Sequence, residues 1–195
     1  AHLWEQTHTD GILTAAFRSR VPIFCPGIAD SSLGMGLSQA RMIDKRKGQI
    51  DVIEDVSESA NMVIRKPRTA SIVLGGGTPK NFINQASVQA AFYCPTVPGH
   101  QYALQIITDV PHFGGASGSS LDEAHRWGKL ATDAAQVSVH ADATLALPLL
   151  VSGIFTSAQD ALSARRPPSF GLSSRALVLD GITLPVSQYD TSPTE

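Results

Sequence analysis

Apolar positions along the chain fall into short β-type runs separated by helix-length stretches. Residues 10–19 (DGILTAAFRS) group Ile12, Leu13, Ala16 and Phe17 on one side and predict a helix, with Asp10 as its cap. Further helices are predicted over 36–42, over 57–66 ahead of Pro67, from Pro79 through Phe82, Ile83, Ala86 and Val88, over 122–133 and over 144–161. Strands are predicted over 21–24, 50–53, 71–74, 102–108 and 136–139. Apolar strands alternating with helices of ten or more residues indicate an α/β fold: a parallel sheet with helices on both faces.

After Arg165 the character changes. Residues 165–195 are rich in Pro, Ser and Gly, with one apolar island at 176–179, and read as a loosely held tail offering one edge strand to a neighbour. The α/β domain is therefore expected to occupy residues 1–164 and the tail 165–195.

Composition narrows the classes. With 43% hydrophobic and 16% charged residues, the chain can build a buried core. A net charge of −2 without a basic stripe gives no phosphate-tracking surface, so no nucleic acid is expected. No run of 18 apolar residues exists, so no membrane span is expected. Cys25 and Cys94 lack CxxC spacing and read as buried thiols of a reducing compartment, the cytoplasm. The start AHLWEQ has neither a signal-peptide pattern nor a Met and reads as a cut or processed end.

In an open parallel sheet, ligands lie beyond the carboxyl ends of the strands. CPGIADSS, LGGGTPKN, ITDVPHFGGASGSS and HADAT each leave a predicted strand at such an end. The GGG run before a helix could bring backbone N–H groups to an anion, and it reads equally as a plain tight turn. Asp30 and Asp142, each at a strand-to-helix junction, read as ligand contacts or as helix caps. The sharper feature is Lys129 in DEAHRWGKL. A lysine attacks a carbonyl or imine carbon as the free amine, and Trp127 could supply an apolar wall while Glu123 holds a substrate amine. Spacing alone also permits a solvated helix with Trp127 and Leu130 turned inward and Lys129 in water. On a regular helix Lys129 lies roughly 200° from Trp127, so the two converge on one ligand only if the segment bends or a neighbouring subunit completes the pocket. No His pair has metal spacing and no GxSxG elbow exists, so no metal and no hydrolase is expected.

LGGGTPKNFINQ, DEAHRWGKL and VHADATLALPLLV, in that order and spacing, resemble the deoxyhypusine synthase family over residues 21–155. The most specific element is the triplet Trp127-Gly128-Lys129, followed by Ala141-Asp142-Ala143. The resemblance implies a Rossmann-like NAD-binding fold and a NAD-dependent aminobutyltransferase of hypusine biosynthesis. In that chemistry NAD takes a hydride from spermidine, Lys129 attacks the resulting imine, and diaminopropane leaves. The aminobutyl group then passes from a lysine imine to an acceptor amine. That acceptor is a protein lysine in deoxyhypusine synthases and putrescine in the related homospermidine synthases. By the same likeness Lys129 is catalytic. Asp30, Gly75, Gly76, Thr108, Asp142 and Ala143 match cofactor contacts, and Gly114, Glu123 and Trp127 match amine contacts.

The chain departs from the eukaryotic family pattern at several of these positions. Asn81 replaces a histidine on the amine side, Asp109 replaces a small residue near the cofactor, and Met35 and Ala116 replace acids. The PKNF version of the Gly-rich segment resembles the bacterial deoxyhypusine synthase-like branch more closely. Family members are about twice this length and form tetramers with active sites at subunit interfaces. The resemblance therefore implies an N-terminal half on a second chain and a tetramer-like oligomer. A non-catalytic scaffold of an active paralogue is the alternative, favoured by Met35, Asn81 and Ala116 and opposed by the retained Lys129, Trp127 and Glu123.

Overall fold

The computed structural model describes residues 10–45, 48, 50–66, 68–173 and 176–184. Local capping explains where its first helices begin. Helix α1 (Ile12–Arg18) starts after Gly11, whose N–H donates to Thr14 Oγ1 at 2.8 Å; Asp10, expected as the cap, instead pairs with Arg18 at 2.9 Å. Helix α2 (Ser32–Met42) is capped by Ser31, whose Oγ accepts from the Gly34 N–H at 3.1 Å. Helix α3 (Val52–Arg65) replaces the strand expected over 50–53, because Asp51 Oδ1 accepts from the Ile53 and Glu54 N–H groups at 3.1 and 3.0 Å. That side chain converts the apolar run into a first helical turn, with Glu54 and Asp55 favourably near the positive end. The strand expected over 21–24 is irregular chain: Pro22 removes a ladder donor from the middle of the run.

By compactness the chain divides into two units, Ser59–Arg166 and the flanking segments Ala1–Glu58 with Pro167–Glu195. The Ser59–Arg166 unit holds a three-stranded sheet of β1 (Ala70–Leu74), β2 (His100–Ile107) and β3 (Leu130–His140), in that spatial order and parallel throughout. Helix α4 (Thr78–Tyr93) joins β1 to β2, and α5 (Leu121–Arg126) precedes β3. This is the expected α/β arrangement, a parallel sheet flanked by helices, although one face of the sheet stays exposed within this chain. Ala60 and Val63 pack with Ala86 and Ala90 of α4, while Ala103 packs with Leu121, Ala124 and Leu130. On the opposite face of the sheet Ile72, Leu74, Tyr102, Val137 and Val139 are exposed, with Ile72, Leu104 and Val137 in register across the three strands.

Two boundaries differ from the periodicity. The helix expected over 122–133 ends at Arg126, because Gly128 has φ +70 and the chain enters β3 at Leu130. The helix expected over 144–161 is two, α6 (Ala143–Ser157) and α7 (Gln159–Ala164). In the other unit β4 (Phe170–Ser173), β5 (Ala176–Leu179) and β6 (Ile182–Leu184) form an antiparallel sheet. The apolar island is thus a central strand, not an edge, and buries Leu177 and Leu179 along with Leu184. The Leu177 N–H donates to Glu58 Oε1 at 2.9 Å.

His100 opens β2 as a buried neutral imidazole. Its Nε2 donates to the Ile83 carbonyl at 3.0 Å, which leaves Nδ1 to accept from the Thr69 hydroxyl at 2.9 Å. Burial holds its pKa below the ordinary 6.5, with the Ile83 carbonyl opposing. Below that value the unfolded chain binds a proton that the fold resists, so stability falls as pH drops through the window beneath 6.5. Glu58 has the opposite sign: burial above all, and then Glu54 and Asp55, raise its pKa against the bond from Leu177, so its contribution declines as pH rises above 4.5. The difference between wild type and His100→Gln isolates the histidine. Denaturant midpoints measured from about pH 7 down to 5 should fall further in the wild type than in the variant; parallel curves would contradict the assignment.

Candidate active site

Gly128 does what a regular helix could not. Its left-handed backbone turns the chain between Trp127 and Lys129, so Lys129 ends the turn rather than continuing α5. The Ser120 hydroxyl caps α5 by accepting from the Glu123 N–H at 3.1 Å, and the Lys129 N–H donates to Ala124 O at 3.0 Å. The Lys129 carbonyl accepts from Ser87 Oγ at 2.9 Å and from the His100 N–H at 3.1 Å, tying the backbone of Lys129 to both α4 and β2. Lys129 itself is half-buried. The indole expected to wall it is 69% exposed, and Glu123 is exposed as well. Trp127 therefore presents its ring outward from this chain.

The cofactor candidates occupy the carboxyl end of the sheet. Gly75 follows β1 and donates its N–H to Ile106 O at 2.8 Å; Thr108 and Asp109 follow β2; Asp142 and Ala143 follow β3. Gly75, Gly77 and Gly114 have φ of +82, +109 and +89, with open space where a side chain would project. Asp109 and Asp142 are exposed. Each carboxylate uses an oxygen locally: Asp109 Oδ1 accepts from the Val110 N–H at 2.8 Å, and Asp142 Oδ1 accepts from the N–H and hydroxyl of Thr144 at 2.8 and 2.6 Å. The Thr144 hydroxyl, followed by its N–H, holds the Asp142 carboxyl below the usual range, so it stays ionised as the cap of α6. Asp30 ends a short 3₁₀ turn (Ile28–Asp30) in the other unit, where Ser31, not Asp30, caps the following helix.

Gly76 differs from its neighbours. A Cβ on it would lie 2.4 Å from Ala116 Cα, so its smallness is needed for contact within the chain. Ala116 is buried in the 3₁₀ turn Gly115–Gly118. Asn81, half-buried one turn into α4, donates its N–H to Gly77 O at 3.1 Å. Between these loops and Lys129 lies a residue the spacing did not single out. Lys80 is 3% exposed, and its ammonium donates to Ala116 O at 2.9 Å and Ser119 O at 2.6 Å. Burial, and then the charge of Lys129, lower its pKa, while Glu123 raises it, so the three charges share one neighbourhood. A lysine in the first turn of a helix opposes the macrodipole, and that was the available signal.

At backbone level Lys129 precedes β3 and Asp142 follows it. The paired run from His100 to Ile107 separates them by ~25 Å at about 3.3 Å per residue. The chain therefore presents its nucleophile candidate and its cofactor candidates at different ends of one strand.

A family model described as deoxyhypusine synthase matches residues 3–154. The chain belongs to the deoxyhypusine synthase family. It is 48% identical over 145 residues to a probable deoxyhypusine synthase 2 of Archaeoglobus fulgidus, covering 74% of this chain and 47% of that protein. It is 42% identical over 174 residues to a probable deoxyhypusine synthase 2 of Methanosarcina acetivorans, covering 88% and 49%. A deoxyhypusine synthase-like protein of Coxiella burnetii is 39% identical over 148 residues, covering 75% and 42%. The chain thus spans about half the length of the curated relatives it matches. Among the described residues no helix is long and apolar enough to cross a membrane, and no group of three or more His, Cys, Asp or Glu could hold a metal ion.

The carboxyl-end residues suit a dinucleotide. Glycines with open space at Gly75 and Gly77 admit close backbone approach, and exposed carboxylates at Asp109 and Asp142 can accept from ribose hydroxyls.

Proposed function

We propose that this chain supplies the nucleophile and part of the cofactor site of a NAD-dependent aminobutyltransferase that takes its 4-aminobutyl group from spermidine and gives it to a protein lysine. The observation that carries the reading is the Gly128 turn, which delivers a half-buried Lys129 beside Glu123 and Lys80 in a segment of the family's own sequence.

NAD, when bound, would supply a hydride acceptor for spermidine oxidation and a hydride donor for the final reduction. Gly75, Thr108, Asp109, Asp142 and Ala143 are the residues that would hold it, and Gly76 serves by keeping the loop close to Ala116. Lys129 attacks the imine carbon of the oxidised polyamine as a free amine. A new C–N bond forms, the bond to the diaminopropane nitrogen breaks, and that fragment leaves as an amine after taking up a proton. Glu123, exposed and ionisable, holds the distal ammonium of the aminobutyl group; Trp127, Gly114 and Asn81 complete the amine side. The acceptor amine then displaces Lys129 from the imine carbon, freeing the lysine amine, and reduction of the new imine by the hydride taken at the start would leave no net oxidation.

The outward Trp127 supports a shared site, in which the indole of one protomer meets a neighbouring subunit. In this reading the chain works within a tetramer-like assembly in the cytoplasm. Native mass spectrometry of enzyme isolated from its own source tests this: an assembly with several copies of this chain is expected, and a fully active monomer would refute it.

The chemistry is tested by incubating that assembly with labelled spermidine and NAD, trapping with borohydride and mapping the adduct. Label on Lys129 is expected; label confined to a partner chain would overturn the catalytic reading in favour of a scaffold. Asn81 in place of the family's histidine favours a changed amine side, so a parallel arm offers putrescine. Transfer to putrescine and not to protein lysine would reassign the acceptor.

A further inference from the structure

The cofactor-side loops and the nucleophile segment need a physical link, and one buried cation spans them. Gly76 packs its backbone onto Ala116, and a Cβ there would also come within 2.9 Å of Ala116 N. Gly115 is equally confined, since a Cβ on it would meet the Asp109 carbonyl at 2.8 Å. Directly behind this contact, the Lys80 ammonium bonds the carbonyls of Ala116 and Ser119. Ala116 has φ +54, a backbone state that a non-glycine residue adopts at a cost. The bonds from Lys80 fall on that residue and on the one preceding the α5 cap, Ser120. The cap fixes Glu123, and α5 ends in the Gly128 turn that delivers Lys129. A buried ammonium facing two neutral carbonyls is costly to desolvate, and nothing in helix packing calls for it, since a methionine would fill the same space.

We propose that Lys80 is a positioning residue for Lys129: its ammonium clamps the Gly115–Gly118 turn to the start of α4 and so sets the height of α5 and of the nucleophile against the cofactor loops. Its charge does this through hydrogen bonds, which a neutral side chain of equal length lacks. The shared electrostatic neighbourhood with Lys129 and Glu123 agrees with that position.

The inference uses the aminobutyl-transfer reading only in its kinetic arm. In the complete assembly, Lys80→Met and Lys80→Arg are compared with wild type by hydrogen exchange of the 112–121 amides, by the rate of borohydride-trapped adduct, and by steady-state kinetics. For Lys80→Met, exchange in 112–121 should rise at least about tenfold while β1 and β2 stay protected. Adduct formation and kcat should fall by about tenfold or more with KM for spermidine changed less than about threefold. Lys80→Arg, which keeps charge and donors, should restore most of the protection and at least about a third of the rate. Unchanged exchange in Lys80→Met, or equal losses in both variants, would overturn the clamp, as would global loss of protection in Lys80→Met with none confined to the turn. If wild type yields no adduct on Lys129, the proposed function fails while the exchange arm still decides the role of Lys80.

Discussion

Lys129→Arg is expected to lower aminobutyl transfer at least about 1000-fold, because a guanidinium stays protonated and has no lone pair to attack an imine carbon. The change keeps the positive charge beside Lys80 and Glu123. The bonds that anchor the position, from Ser87 Oγ and the His100 N–H to the Lys129 carbonyl, are made by backbone and survive. Stability should therefore move by no more than about 0.5 kcal/mol, the usual range for a substitution away from the core. Turnover with labelled spermidine, read beside a urea melt, checks both halves. A variant that keeps a tenth of the activity would remove Lys129 from the chemistry.

The second large effect is structural. Gly76→Ala puts a methyl group 2.4 Å from Ala116 Cα and 3.0 Å from Ala116 C, and the atoms it meets are backbone that no side-chain rotation can clear. Overpacking of this kind costs about 1–3 kcal/mol, and relief requires the Gly115–Gly118 turn to lift away from α4. Gly75→Ala is the informative control. It has the same chemistry and a positive φ of +82, but nothing within 4 Å, so about 1 kcal/mol of backbone strain is expected and the turn stays seated. Urea denaturation should rank the two, and activity should fall further in Gly76→Ala than its stability loss explains. Equal stability losses in the two variants would mean that the close contact with Ala116 is not what makes Gly76 necessary.

Much of the alternating strand and helix order was legible because β1 and β2 are apolar runs bounded by glycine, proline or polar turns. Where periodicity misled, a single side chain or dihedral decided the outcome. Asp51 caps the start of α3 and so claims for a helix the apolar residues that read as a strand. Gly128 at φ +70 stops α5 in a stretch whose apolar spacing continues to suit a helix. The same glycine removes the difficulty of Trp127 and Lys129 lying on different helix faces, since they do not share a helix. Within the candidate site, the glycine runs and the acids at strand ends were readable from position, because a parallel sheet gathers loops at its carboxyl edge. The burial of Lys80 was not, because a charged residue in a first helical turn looks solvent-exposed until the loop that covers it is known. Nor did composition foretell β4 to β6, where only Leu177, Leu179 and Leu184 supply the interior.

The uncovered side of the parallel sheet has a practical corollary for anyone handling this polypeptide by itself. Ile72, at 60% exposure, sits in register with Leu104 and Val137, so water meets a contiguous greasy stripe rather than scattered side chains. Freshly made chains carrying such a stripe compete for one another as they become concentrated, and the yield of monodisperse material drops unless a chaperone or a co-expressed companion shields it first.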